Sequence, residues 1–172
     1  GSSDTSSSDC KILSGYDFSG DVEVGADKEP DAAWVAKNIK PDNDPMEQSG
    51  GGHGTHVAAT AAGNSILRGV APDAQLIAYK VFPNSYSHVI ITAIEQAVKS
   101  GADVISLSLG GPGDADDPMS TAVDRAVDAG TIVVVAAGNS GPQGNPFCKR
   151  SGNGTKNSIC SPATARKAIT VG

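Results

Sequence analysis

Between Gln75 and Val171 short apolar runs alternate with amphipathic stretches, and most of these segments are closed by a turn signal. Gln75 to Phe82 alternates in hydropathy and breaks at Pro83, which predicts a strand. Ile90, Ala93, Ile94, Ala97 and Val98 then fall on one helical face, with Gly101 as a C-terminal stop. Asp103 to Leu109 is a β-branched apolar run and reads as a buried strand. Asp117 followed by Pro118 has the form of an N-cap with proline at the first helical position. The helix it opens carries Met119, Ala122, Val123, Ala126 and Val127 as its apolar stripe and ends at Gly130. Thr131 to Ala137 is a further buried strand, and Ala168 to Val171 another. Parallel neighbours need a crossover, so strand, helix, strand in this order predicts a parallel sheet flanked by helices, an α/β fold. A run such as Ile132-Val133-Val134-Val135 fits a sheet covered on both faces. No internal repeat interrupts this pattern.

A chain of 172 residues can bury a sizeable single core, and with only 4% aromatics that core must rest on Ala, Val, Ile and Leu. A net charge of -6 argues against nucleic acid or an anionic membrane as partner. No apolar run approaches the ~20 residues of a membrane span. Gly1 to Asp9 is polar and does not read as a signal peptide. Residues 1–10 are expected to be a disordered tail or cloning remnant, and 11–172 the folded part. Before His53 periodicity is weak: Lys11 to Phe18 predicts a short strand, Asp31 to Ile39, around Trp34, a short helix. Thr55 to Ala62, small and apolar and ended by Gly63-Asn64, predicts a buried helix.

Three cysteines allow one bridge in any of three pairings. Cys148 and Cys160 flank one loop, and that loop also holds the glycosylation sequon Asn153-Gly154-Thr155. The two signals together favour a secreted, extracellular chain. Cys148–Cys160 is the pairing expected, leaving Cys10 odd.

Three segments carry chemistry. In Gly52-His53-Gly54-Thr55-His56 the glycines leave room for an imidazole to face a cleft, where it could take and return a proton near neutral pH. Zinc ligation by the two histidines is disfavoured, because the His-Glu-x-x-His pattern is absent. Val104 to Pro112 runs from a strand into a glycine-rich edge that could pair with an extended peptide. Asn139, just past the carboxyl end of a strand, stands where α/β ligand sites form and has an amide able to donate to an oxyanion. As isolated features, each has a structural explanation: a packed histidine, an ordinary strand end, a turn asparagine.

Taken together, these segments resemble the subtilisin-like serine proteases, or subtilases. His53-Gly54-Thr55-His56-Val57-Ala58, Gly69-Val70-Ala71-Pro72 with Ala78-Tyr79-Lys80-Val81, Ser108-Leu109-Gly110-Gly111-Pro112, Ala136-Ala137-Gly138-Asn139, and Ser161-Pro162-Ala163 to Gly172 match the family in its order. The resemblance covers roughly residues 11 to 172. It implies that His53 is the general base, His56 a packed structural residue, and Asn139 the side-chain donor of the oxyanion hole. It further implies that Ser108, Leu109 and Gly110 pair with substrate backbone, and that Ala137 and Gly138 line the pocket for the residue before the scissile bond. Polypeptide substrates follow. No cofactor is required; structural calcium is frequent in such proteins, but no motif here places one, and Asp114, Asp116 and Asp117 read more simply as a helix cap and its solvated neighbours.

Two parts of the family pattern are missing. The catalytic chain order is Asp, His, Ser, yet no apolar strand ending in Asp-Thr-Gly or Asp-Ser-Gly precedes His53, and no Gly-Thr-Ser-Met-Ala follows Asn139. Ala59 also stands where the family usually has glycine. The expectation is therefore a partial catalytic domain, inactive alone, whose partners are the missing Asp- and Ser-bearing segments or other copies of itself. The alternative is a truncated, non-catalytic peptide-binding module. A dinucleotide-binding domain is disfavoured, since no Gly-x-Gly-x-x-Gly follows any strand.

Overall fold

The structure of the protein, a computed structural model, describes residues 11–21, 34, 37–47, 51–140, 148 and 159–172. In chain order its elements are β1 (Ile12–Asp17), α1 (His53–Ala62), β2 (Leu76–Lys80), α2 (Ser87–Lys99), β3 (Val104–Leu107), α3 (Pro118–Asp128), β4 (Ile132–Ala136) and β5 (Ile169–Val171). The chain divides into two compact units, Gly1–Val89 and Ile90–Gly172. Of the helix expected over 31–39, Trp34, Lys37 and Asn38 are helical and Ile39 is not; the other positions lie outside the described residues, as do the tail 1–10 with Cys10 and the sequon at Asn153.

Every strand pair is parallel, but the strands make two sheets: β1 with β2, and β3-β4-β5 in that order. In the second unit the expected helices are clear. Ile90, Ala93, Ile94 and Ala97 of α2 are buried. Asp117 caps α3, its carboxylate accepting from Ser120 N at 2.9 Å. Met119, Ala122, Val123 and Ala126 form the buried side of α3, and α3 packs on β4. Val123, Val133 and Val135 are 0–1% exposed, and each such side chain contributes roughly 1.5–3 kcal/mol by leaving water. The segment after Cys160 is fastened to the same helix: Ser120 Oγ lies 3.3 Å from Ser161 Oγ and 3.0 Å from Thr164 Oγ1.

The expectation of a sheet covered on both faces does not hold. Ile105, Val133 and Val135 are buried, whereas Val104, Ile132, Ile169 and Val171, on the opposite face, are 51–54% exposed. The register sets Val104 beside Ile132 and Val134 beside Ile169, so these apolar side chains share the open side, which Ser106 interrupts beside Val134. The apolar runs have the composition of doubly covered strands, but here a layer covers only one side. Helix α1, expected to be buried, has only Ala62 buried, and the loop after it leaves Ile66, Leu67 and Val70 at 85–99% exposure.

The first unit is organised by a buried ion pair. After a register shift between Ile12 and Ser14, β1 and β2 pair residue by residue up to Asp17 beside Lys80. The Asp17 carboxylate, 1% exposed, accepts from Ser19 N at 2.7 Å, Gly20 N at 2.9 Å and Lys80 Nζ at 2.7 Å. Lys80 also donates to Asp21. Burial alone would lower the Lys80 pKa, but its hydrogen bonds to the two carboxylates and their charges hold it above the ordinary 10.5. A raised amine pKa stabilises the fold below that value, so this contribution is full at neutral pH and is lost only as pH rises beyond about 10.5. Asp17→Asn leaves a buried ammonium without its main counter-charge. It is expected to destabilise the first unit by about 3–5 kcal/mol, read from denaturant melts followed at the Tyr16, Phe18 and Tyr79 ring cluster.

Candidate active site

The ladder between β3 and β4 ends at Leu107 beside Val135. Beyond it the two strands release Ser108–Gly111 and Ala137–Ser140, which leave in the same direction because the strands are parallel. Cys160 and Ser161 lie between them and bond to both. Cys160 N donates to Ala137 O at 3.0 Å, while Ser161 and Gly111 exchange backbone bonds of 2.9 and 3.0 Å. The result is a cleft of about 300 Å³, with Ser108, Leu109 and Gly110 on one side, Ala136, Gly138 and Asn139 on another, and Ser140 with the Cys148–Cys160 disulfide closing it.

Seven of the residues singled out in the second unit therefore meet at one cleft: Ser108, Leu109, Gly110, Gly138, Asn139, Cys148 and Cys160. Ala137 does not line it; Ala136 does. Ala137 is fixed instead by its backbone, with N–H to Val171 O at 2.7 Å and C=O to Cys160 N. Gly138 has φ +103°, a conformation L side chains rarely adopt, and this turns the chain so that exposed Asn139 borders the cleft. Among the described residues no acidic or basic side chain lines it. The three aspartates before α3 are engaged elsewhere: Asp117 caps the helix, Asp114 accepts from Asp116 N, and Asp116 pairs with Arg166 at 2.8 Å. Among the described residues no three His, Cys, Asp or Glu side chains gather as metal ligands would.

His53 belongs to the first unit, as the opening residue of α1, and is exposed. His56, expected to be packed, is exposed too, since α1 has little covering it. The helix starts from Gly52 at φ +81°, which offers no side chain to cap its orphan N–H groups. Glu47 does that work from outside the helix. Its Oε2 accepts from Thr55 N and Thr55 Oγ1, both at 3.1 Å, and the bond from Thr55 N together with those from the Gly54 and His53 amides holds its pKa below the ordinary 4.5. Sequence reading missed Glu47; the available signal was a helix beginning at glycine with a carboxylate a few residues upstream.

The fold is of the subtilisin type, and the family model of the Subtilase family matches residues 13–172. Minor extracellular protease Vpr of Bacillus subtilis is 44% identical over 124 residues, covering 70% of this chain and 14% of that protein. Subtilisin DY of Bacillus licheniformis is 42% identical over 129 residues, 72% of this chain and 43% of the relative. Among solved structures, Sphericase superposes with a TM-score of 0.61 at 31% identity, covering 93% of this chain and 46% of that one. The chain belongs to the subtilase family, and it spans less than half the length of these relatives.

A carboxylate whose pKa is depressed stabilises above its unfolded value, and that stability is lost as pH falls through the folded value. The Thr55 amide resonance is therefore expected to titrate with a midpoint below 4.5 and to lose this titration in Glu47→Gln. An unchanged Thr55 profile in the variant would remove Glu47 from the helix start.

Proposed function

We propose that this chain supplies the proton-transfer and oxyanion-binding parts of a secreted serine endopeptidase that works through an acyl-enzyme. The reading rests on one observation above the others: the cleft at the carboxyl ends of β3 and β4 puts Asn139 and Gly138 opposite Ser108–Gly110, beyond the last ladder pair. In this reading an extended peptide pairs its backbone with Ser108, Leu109 and Gly110. The side chain before the scissile bond enters the cleft beside Gly138. A serine contributed by another segment of the protease attacks the carbonyl carbon, and His53 takes the hydroxyl proton as the bond forms, returning it to the leaving amine. The carbonyl oxygen becomes an oxyanion, to which the Asn139 amide donates. An upstream carboxylate would orient His53, again from another segment. The disulfide, the sequon at Asn153 and the extracellular relative favour secretion.

The 172-residue chain alone is expected to hydrolyse no peptide and to take no label from a fluorophosphonate, which needs a base-activated serine. Stoichiometric labelling that depends on His53 would sink this division of labour. In the complete protease His53→Ala should nearly abolish turnover. Asn139→Ala should lower kcat by about 10²–10³ with little change in KM, a magnitude taken over from subtilisin's own oxyanion asparagine. A large KM effect at unchanged kcat would make Asn139 a substrate binder instead. Because Val104, Ile132, Ile169 and Val171 form an open apolar face, the isolated chain is expected to self-associate on sedimentation; a monodisperse monomer with a sharp cooperative melt would contradict this.

A further inference from the structure

The Cys148–Cys160 bridge is more than a loop staple, because both of its residues border the cleft. Both are almost fully buried, at 1% and 4% exposure, so the sulfurs are packed into the wall. The two arms of the cleft are built around them. A Cβ placed on Gly110 would stand 2.8 Å from Cys160 Cβ; one on Gly138 would stand 3.0 Å from Cys160 Sγ and 3.8 Å from Cys148 Sγ. A side chain at either glycine would collide with Cys160 or crowd it, so the bridge and the two glycines fix the width of the cleft together.

Cys160 is anchored through its backbone, by its N–H to Ala137 O and by the neighbouring Ser161–Gly111 pair. For Cys148 the structure gives the bridge itself and the Ser140 hydroxyl, 3.2 Å from its sulfur. Opening the bridge removes the S–S link between the two wall residues, while the backbone bonds of Cys160 remain.

We propose that the Cys148–Cys160 disulfide is a specificity-determining wall of the substrate cleft, limiting the size of the side chain accepted before the scissile bond, and that opening it shifts preference toward bulkier side chains. This rests on the reading of the cleft as the substrate site. The opening step is ordinary thiol–disulfide exchange with an external dithiol such as dithiothreitol. The S–S bond breaks, two cysteine thiols form, and the dithiol gives up two electrons and two protons to close into its own cyclic disulfide.

The test uses the complete protease and peptides that differ only in the residue before the scissile bond: Ala, Leu, Phe and Trp. Values of kcat/KM are compared for the oxidised enzyme, the dithiothreitol-reduced enzyme with both thiols verified by alkylation and mass, and Cys148→Ala/Cys160→Ala. The expected result is a rise of order tenfold in the Trp-to-Ala ratio on opening by either route, carried mainly by KM. Equal losses for all four peptides, or an unchanged ratio with both thiols free, would show the bridge to be structural only and overturn the proposal. If the double variant does not fold, the reduced wild type decides alone. The parent reading fails separately: Asn139→Ala with both kcat and KM unaltered in the oxidised enzyme would remove the cleft from the reaction, whatever the ratio did.

Discussion

Two parallel strands must end on the same side of their sheet, and the candidate site depends on that constraint. Val104–Leu107 and Ile132–Ala136 stop pairing at Leu107 and Val135, so their continuations emerge side by side with no ladder to hold them. Backbone donors and acceptors there need other partners. Ser161 supplies them to Gly111, and Cys160 and Val171 supply them to Ala137. Remaining groups border a cleft instead of filling a core. The chemistry of the site is thus what the sheet leaves over at its carboxyl edge, the place where α/β proteins commonly bind ligands.

The first unit solves a different problem, that of placing charge inside a small fold. Asp17 and Lys80 meet at the last register position of β1 and β2, and each is satisfied several times over. Among the described residues no buried side-chain nitrogen or oxygen lacks a hydrogen-bond partner. Glu47 answers the same demand at a surface, supplying an acceptor to the helix start that Gly52 cannot cap. Both cases are local electrostatics deciding where an otherwise permissive chain settles.

Most of the elements were legible because they are written in short-range periodicity. The stripes of α2 and α3, the Asp117 cap before Pro118, and the turns at Gly101 and Gly130 depend on neighbours within a few positions. The gathering of Ser108–Gly110 with Gly138 and Asn139 was legible through motif order. What was not legible involves distant partners or missing ones. Hydropathy cannot show that the strands divide into two sheets, or that Ile132 and Ile169 meet solvent while Val133 and Val135 do not. Glu47 was overlooked since its partner Thr55 lies eight positions away, outside the usual capping spacing.

The double fastening of Ala137 has a mechanical consequence. Its N–H is held by Val171 and its C=O by Cys160, so neither peptide plane beside it can rotate without breaking a bond to a separate part of the chain. Gly138, at φ +103°, is the next rotatable position toward Asn139. Any swing of Asn139 is then a pivot about Gly138, with Ala137 as a fixed post and a lever arm one residue long. A lever so short confines the amide to a small arc, and keeping the post still falls to β5 on one side and the half-cystine on the other.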